Sequence, residues 1–312
     1  MKTKKFSNLA IILVSAIALT FASCAKEDLS QGIDADPSSL MQLSADENNM
    51  DNVMKDAESD ITSVMSNNAG NFKSTAWRPC GATIDSLAII NDTITIRITF
   101  NGQTCNNKRS RTGEIVLKTK VGTRWNQAGA AVVCKFIDFT VTHDVTGKSV
   151  KLNGTKTIVN VNGGHRWQVG TISTSYVERI SGSMQASFDN GTSRTWNIAR
   201  QITYTGTAGQ YIMTIDGFGS AGDYQNLVTW GTNRQNEEFF TQISQSIVCK
   251  QACKWDATSG IKIHQIPSEN KSATITFGYN DNNELITGNE CPTRYRVDWQ
   301  RNNKSGTSYL PL

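Results

Sequence analysis

The sequence predicts an all-β fold, an antiparallel meander or sandwich of many strands preceded by one amphipathic helix. Two patterns lead there. An apolar period of two recurs through residues 71–312 between Asn/Gly turn signals, and a single earlier stretch repeats at helical spacing instead.

Taken in chain order, Lys2, Lys4 and Lys5 precede an apolar run from Leu9 to Phe21 that only Ser15 and Thr20 interrupt. This is the pattern of a signal peptide over residues 1–23, too short to cross a bilayer as a helix. Phe21-Ala22-Ser23-Cys24 resembles a bacterial lipobox, with Phe21 where leucine is usual. The resemblance implies lipid on the Cys24 thiol, cleavage before it and acylation of the new amine, enough acyl chain for durable anchoring. Lys26-Glu27-Asp28 directly behind resembles the export signal of lipoproteins that reach the outer face of the outer membrane in Bacteroidetes. The expected location is therefore the outer membrane, lipid-anchored and exposed at the cell surface, with a periplasm-facing orientation as the alternative.

Residues 24–43 mix small, acidic and turn-forming residues without apolar periodicity and read as a lipid-anchored acidic tether. Over 44–70 the period changes: Met50, Val53, Met54, Ala57, Ile61, Val64 and Met65 recur at helical spacing, Ser44 and Glu47 have the spacing of a capping box, and Asn67, Asn68 and Gly70 end the run. The methionine stripe is expected to pack on the domain that follows. Charge divides the same way: residues 25–70 carry ten acids and two bases, and residues 71–312 carry 26 bases and 17 acids. The bases are scattered along strands, without the concentrated footprint of a nucleic-acid site, so no nucleic-acid partner is expected.

Thr93 to Phe100 is the clearest strand, with Ile94, Ile96, Ile98 and Phe100 on one face and Thr93, Thr95, Arg97 and Thr99 on the other. Further strands are expected at about 83–90, 111–119, 133–142, 149–161, 172–188, 193–205, 210–216, 225–247, 260–266, 272–279 and 293–299. Asn101-Gly102, Asn153-Gly154, Asn162-Gly163-Gly164 and Asn190-Gly191 supply the left-handed conformations that hairpin turns need. Cys80 and Cys105 bracket one expected hairpin and Cys253 and Cys291 another, which predicts those two disulfides and two similar end units. Cys134 and Cys249 remain as a third bond or as two free buried thiols. Cys249 and Cys253 lie too far apart along an extended strand to bond each other, and no second ligand pair accompanies them for zinc.

The segments ITIRITFNGQTCNNKRSRTGEI, VKLNGTKTIVNV, FDNGTSRTWNIARQITYTG and CKWDATSGIKI, followed by a strand and turn reaching Cys291, occur in this order behind the lipobox and the acidic helical segment. In that order they resemble a family of uncharacterised Bacteroidetes surface lipoproteins, over most of residues 77–299. The resemblance implies a fold and a location, and no active site, ligand or reaction.

The residues themselves supply no catalytic motif. His143, His165 and His264 belong to no metal or nucleophile pattern; Asp138, Asp144, Glu178, Asp189, Asp216, Asp223, Glu237 and Glu238 could form a glycosidase pair only through tertiary placement. Asp281, Asn283 and Glu290 lack the spacing of a calcium loop. No metal and no cofactor are expected. The seven tryptophans are expected mostly to cover the small cores and pair across strands; Trp125 and Trp230, with Gly and Asn neighbours, are the candidates for exposed ligand-binding rings. Asp85-Ser86-Leu87 and Asp92-Thr93-Ile94 resemble the Asp, Ser/Thr, aliphatic triplet of Bacteroidetes O-glycosylation, which makes Ser86 and Thr93 candidate sites. The leading functional expectation is a noncatalytic adhesion or assembly component of the cell surface that meets the membrane through Cys24 and a surface protein or glycan beyond it. The alternative is a surface glycan-binding protein or glycoside hydrolase.

Overall fold

A computed structural model describes residues 38–67, 78–86, 89–105 and 107–312. Cys24 and the segment Lys26-Glu27-Asp28 lie outside the described residues, as does Trp77. Helix α1 spans Ser38–Asn67. It starts six residues before the expected boundary, because Leu40 and Leu43 extend the apolar stripe and are themselves fully buried. Ser44 and Glu47 are therefore mid-helix, and the expected capping box does not form. Glu47 turns to the sheet instead. Among the described residues no helix is long and apolar enough to cross a membrane.

The rest is one antiparallel sheet. Strands β1 (Ala82–Ser86), β2 (Thr93–Gln103), β3 (Arg109–Lys120), β4 (Ala130–His143), β5 (Ser149–Asn160), β6 (Tyr176–Phe188) and β7 (Ser193–Thr207) pair each with the next. After β8 (Gln210–Gly217) and β9 (Gly219–Ala221), β10 (Tyr224–Thr232) returns to β7, and β11 (Glu238–Lys250), β12 (Ala257–Ile266), β13 (Lys271–Tyr279), β14 (Arg294–Arg301) and β15 (Lys304–Pro311) complete the meander. Strands β8 and β10 share one slot between β7 and β11 end to end: β10 lies beside Thr195 to Ile198 of β7, and β8 beside Arg200 to Thr207. Strand β15 escapes a reading by pattern because its sequence, KSGTSYLP, carries no clear alternation.

Three sequence expectations are corrected. Residues 225–247 are two strands, β10 and β11, broken by the Asn233–Glu237 turn, where Asn233 Oδ1 accepts from the Gln235 and Glu237 amides and Asn236 takes φ 61°. Asn101-Gly102 continues β2 opposite Thr112 and Arg111. Asn153-Gly154 sits inside β5, beside a bulge in β4 where Asp138 takes φ 47°. Gly154 is needed for space: a Cβ there would lie 2.4 Å from the Ser183 carbonyl oxygen. The Asn162 and Asn190 signals do fall in interstrand connections.

The sheet is curled around α1. Between Asp51 and Asp60, about 14 Å of helix axis, side chains of α1 reach β3, β5, β7 and β12. On a flat sheet β3 and β12 would stand about 34 Å apart. Ile96, Ile98, Phe100, Ile115, Leu117, Phe136, Phe139, Ile158, Ile180 and Val297 pack in one core with Leu40, Met50, Met54, Ile61 and Val64 of the helix. The methionine stripe is thus core packing, as its spacing suggests.

Both expected disulfides are present, Cys80–Cys105 and Cys253–Cys291, with Cα atoms 5.2 and 5.3 Å apart, and Cys134 and Cys249 are free and buried. Burial pushes the Cys134 thiol up to about 12. Setting Cys24 aside, a maleimide should label no cysteine in the native protein, two after unfolding and six after unfolding with reduction. Labelling of one or two thiols without denaturant would contradict this burial. Reducing either bond should cost about 3–4 kcal/mol of stability in the chain-entropy approximation.

Candidate functional site: an ion-paired helix and the chamber beside it

All six acids of α1 meet a base, five of them from strands of the sheet and Asp46 from Arg234 in the β10–β11 turn. Arg234 grips Asp46 with two hydrogen bonds of 2.6 and 2.7 Å. Glu47 accepts from Arg194 and, at 2.6 Å, from the Thr229 hydroxyl. Asp51 accepts from Arg200 at 3.0 Å and Lys262 at 2.8 Å. Glu58 accepts from Lys156 at 2.7 Å and twice from Arg200, at 2.7 and 2.8 Å. Asp60 meets Arg111 at 2.6 Å and Asp56 meets Arg109 at 3.4 Å. These bases point inward because of strand parity: Arg194 and Arg200 share a face of β7 with Trp196, Ile198 and Ile202. The Arg194 guanidinium lies over both Trp196 and Phe239, 5.0 and 4.9 Å from the ring centroids, which helps to compensate its burial.

Burial works against the charges of Asp51, Glu58 and Glu47, and in each the bases outweigh it. Burial alone would raise Asp51, yet Lys262 and Arg200 bring it down to about 2. Burial likewise opposes Glu58 and Glu47, and both are nevertheless held below the usual carboxylate range, by Arg200 with Lys156 and by Arg194 respectively. His264 beside them is lowered to about 4 by burial, despite the Glu47 charge, and its Nδ1 shares a 2.8 Å hydrogen bond with Thr241.

Two cavities flank the helix. One, of about 840 Å³, is lined by Asp46, Met50, His143, Phe188 and Arg234 among others. The other, of about 600 Å³, lies between α1 and the wall formed by β6, β7, β8 and the turn at Trp255. Glu178 is the buried carboxyl of this second chamber. Its Oε1 accepts from the Tyr176 hydroxyl at 2.8 Å and from Thr62 of α1 at 3.2 Å, and Trp125 Nε1 donates to the Tyr176 oxygen at 3.0 Å. Burial raises Glu178 above the usual carboxylate range, an effect that the Tyr176 hydrogen bond and Arg166 do not cancel. Asp256, which also lines the chamber, is raised by burial as well. Tyr204 is pushed up to about 12 by burial; its hydroxyl is 3.5 Å from Arg166 and its ring meets Trp255 edge-on at 6.0 Å.

The structure redistributes the residues singled out from sequence. Trp125 is only 3% exposed and serves to orient Tyr176, which removes it as a candidate ligand-binding ring and fits the packing expected of most tryptophans. Trp230 is half-buried, its ring packed over the backbone of Gly219. Among the described tryptophans the exposed ring is Trp167, at 64%, stacked on His165. Of the carboxylates only Glu178 becomes part of a buried cluster, while Asp138, for instance, caps its own bulge with Asn153. Asp281 bonds Thr293 and Asn283 bonds Arg294. Among the described residues no group of three or more His, Cys, Asp or Glu could hold a metal. Cys253 is in a disulfide and so cannot ligate with Cys249. Thr93 starts β2 half-buried with its hydroxyl on the Asn91 carbonyl, and Ser86 pairs in β1 opposite Ile96. The six-acid helix carried a signal for its partners, namely a row of Arg and Lys at apolar-face parity on distant strands. No family model, no curated protein and no solved structure matches the chain.

Proposed function

We propose that the chain is a lipid-anchored, noncatalytic component of the bacterial outer membrane surface that works in adhesion or assembly. The observation that carries the reading is the occupied trough: α1 fills the concave face of the sheet, and its six acids are matched to bases of the strands and of the β10–β11 turn. A body filled by its own helix suits a rigid presenting scaffold better than an open processing cleft. The location rests on the signal pattern, on Cys24 and on Lys26-Glu27-Asp28. Cys24→Ala should abolish lipid labelling and leave the sheet intact, because the acyl acceptor is the thiol. External protease on intact cells should digest the protein. Protection in intact cells, with digestion after lysis, would place it on the inner leaflet.

Glu178 and Asp256 give the second reading, a glycan-processing protein, its one specific support: two carboxyls raised by burial line one chamber. The remaining chamber acids speak against it, since Asp56 and Glu58 are committed to Arg109 and to Arg200 with Lys156. Saturable binding to one glycan class on an array, lost on replacing Trp255, would favour this second reading over the first.

A further inference from the structure

We propose that the chamber between α1 and the β6–β8 wall binds a small organic carboxylate with an apolar body, its carboxylate on Arg166 and its body against Tyr204, Trp255 and Met213. The first ground is an imbalance of charge. Lys55, Arg166 and Lys254 line the chamber and make no ion pair among the described residues; the lining acids Asp56 and Glu58 are already paired, and Asp256 faces Lys55 and Lys254, which leaves Arg166 as the base without an acid of its own. Arg166 is partly buried, and its hydrogen-bond partner is the Tyr204 hydroxyl, 3.5 Å away, with the guanidinium 5.2 Å from the centre of that ring. A guanidinium drawn out of water calls for an anion.

The second ground is the neighbour that does not supply one. Glu178 makes no ion pair with Arg166 among the described residues; its Oε1 is taken by Tyr176 and Thr62. Burial disfavours the charged form of Glu178, so Glu178 does not serve Arg166 as the paired carboxylate that Glu58 is to Arg200. The rest of the wall gives the shape. Ile202, Met213, Ile215 and Trp255 form an apolar side, and the volume of about 600 Å³ falls in the range of small-molecule sites. Tyr204 and Trp255 meet at 85°, so they form a corner and not the flat platform on which a sugar ring stacks. A forked guanidinium fits a planar carboxylate in particular.

The test titrates 3-phenylpropionate into the purified protein, followed by tryptophan fluorescence and by the melting temperature, with 3-phenylpropionamide, inorganic phosphate and maltose as comparisons. Saturable binding of the carboxylate is expected, with the neutral amide and Arg166→Gln each weaker by about tenfold or more, the worth of a charge-assisted hydrogen bond. Absence of saturable carboxylate binding, equal binding of the amide, tighter binding of phosphate or maltose, or an Arg166→Gln protein that binds unchanged would each overturn the proposal. Should Arg166→Gln fail to fold, the comparison of acid with amide on the wild type decides alone. None of these outcomes depends on the lipid anchor or on the adhesion reading.

Discussion

Glu58→Gln is expected to lower the unfolding free energy by about 3–5 kcal/mol, the cost of leaving a buried charge without its partner. Glu58 is the hub of the helix–sheet contact. It holds Lys156, whose side chain is fully buried, and both Arg200 hydrogen bonds of 2.7 and 2.8 Å. Amidation keeps the volume and removes the charge that two buried cations share. Arg200 retains Asp51, whereas Lys156 retains no acid. Lys156 is accordingly the cation at risk, since burial already pulls its proton affinity down and Glu58 is what opposes that. Adding Lys156→Met to Glu58→Gln should therefore recover part of the loss. Urea unfolding of the two single variants and the double variant measures the coupling. A loss below about 1 kcal/mol, the scale of an exposed ion pair, would mean that the contact is solvated and the trough looser than described.

Acidification should release the same contact in two stages. His264 has a folded value of about 4 against 6.5 when unperturbed. Its folded form stays neutral while the unfolded chain takes up a proton, so stability falls as pH drops from 6.5 towards 4, by about 3 kcal/mol. Asp51, depressed from 3.8 to about 2, contributes stability that is present above 3.8 and is lost as pH falls through 2, about 2 kcal/mol more. Glu47 and Glu58 are lowered too and act with the same sign. Glu178, Asp60 and Asp256 are raised, and so act oppositely: their contribution is present at low pH and lost as pH rises. The decisive measurement is consequently differential. The groups facing the imidazole are Thr241, Glu47, Lys262, Arg194 and Asp51, all of which His264→Gln leaves in place. The stability advantage of the wild type over that variant should shrink by about 3 kcal/mol between pH 7 and pH 4. Parallel curves over that interval would show that His264 does not titrate as its burial requires.

The sequence by itself determined the class of fold, because apolar periodicity is a local property of the chain. Ile94, Ile96, Ile98 and Phe100 had to share a face of a strand, and Met50, Met54, Ile61 and Val64 a face of a helix, whatever lay opposite. The two disulfides were legible for a related reason: each closes a hairpin whose ends a short connection brings together. Local signals misled where a neighbour in space overruled them. Asn153-Gly154 looks like a turn, but there the glycine makes room for β6 against β5. Ser44 and Glu47 look like a cap, but Glu47 lies within reach of Arg194, 147 residues away. Only the tertiary structure decided what the acids of α1 are for. Their partners stand between 51 residues away, for Asp60 and Arg111, and 211 residues away, for Asp51 and Lys262. The parity of each base along its strand tells which face it takes, but not which acid it meets, since the curl of the sheet, and not the spacing of the chain, brings each base to its acid. The chamber follows from the same geometry: Thr62, Arg166, Glu178, Tyr204 and Trp255 are ordinary residues of a helix, a connection, two strands and a turn until the sheet closes around α1 and sets them around one volume.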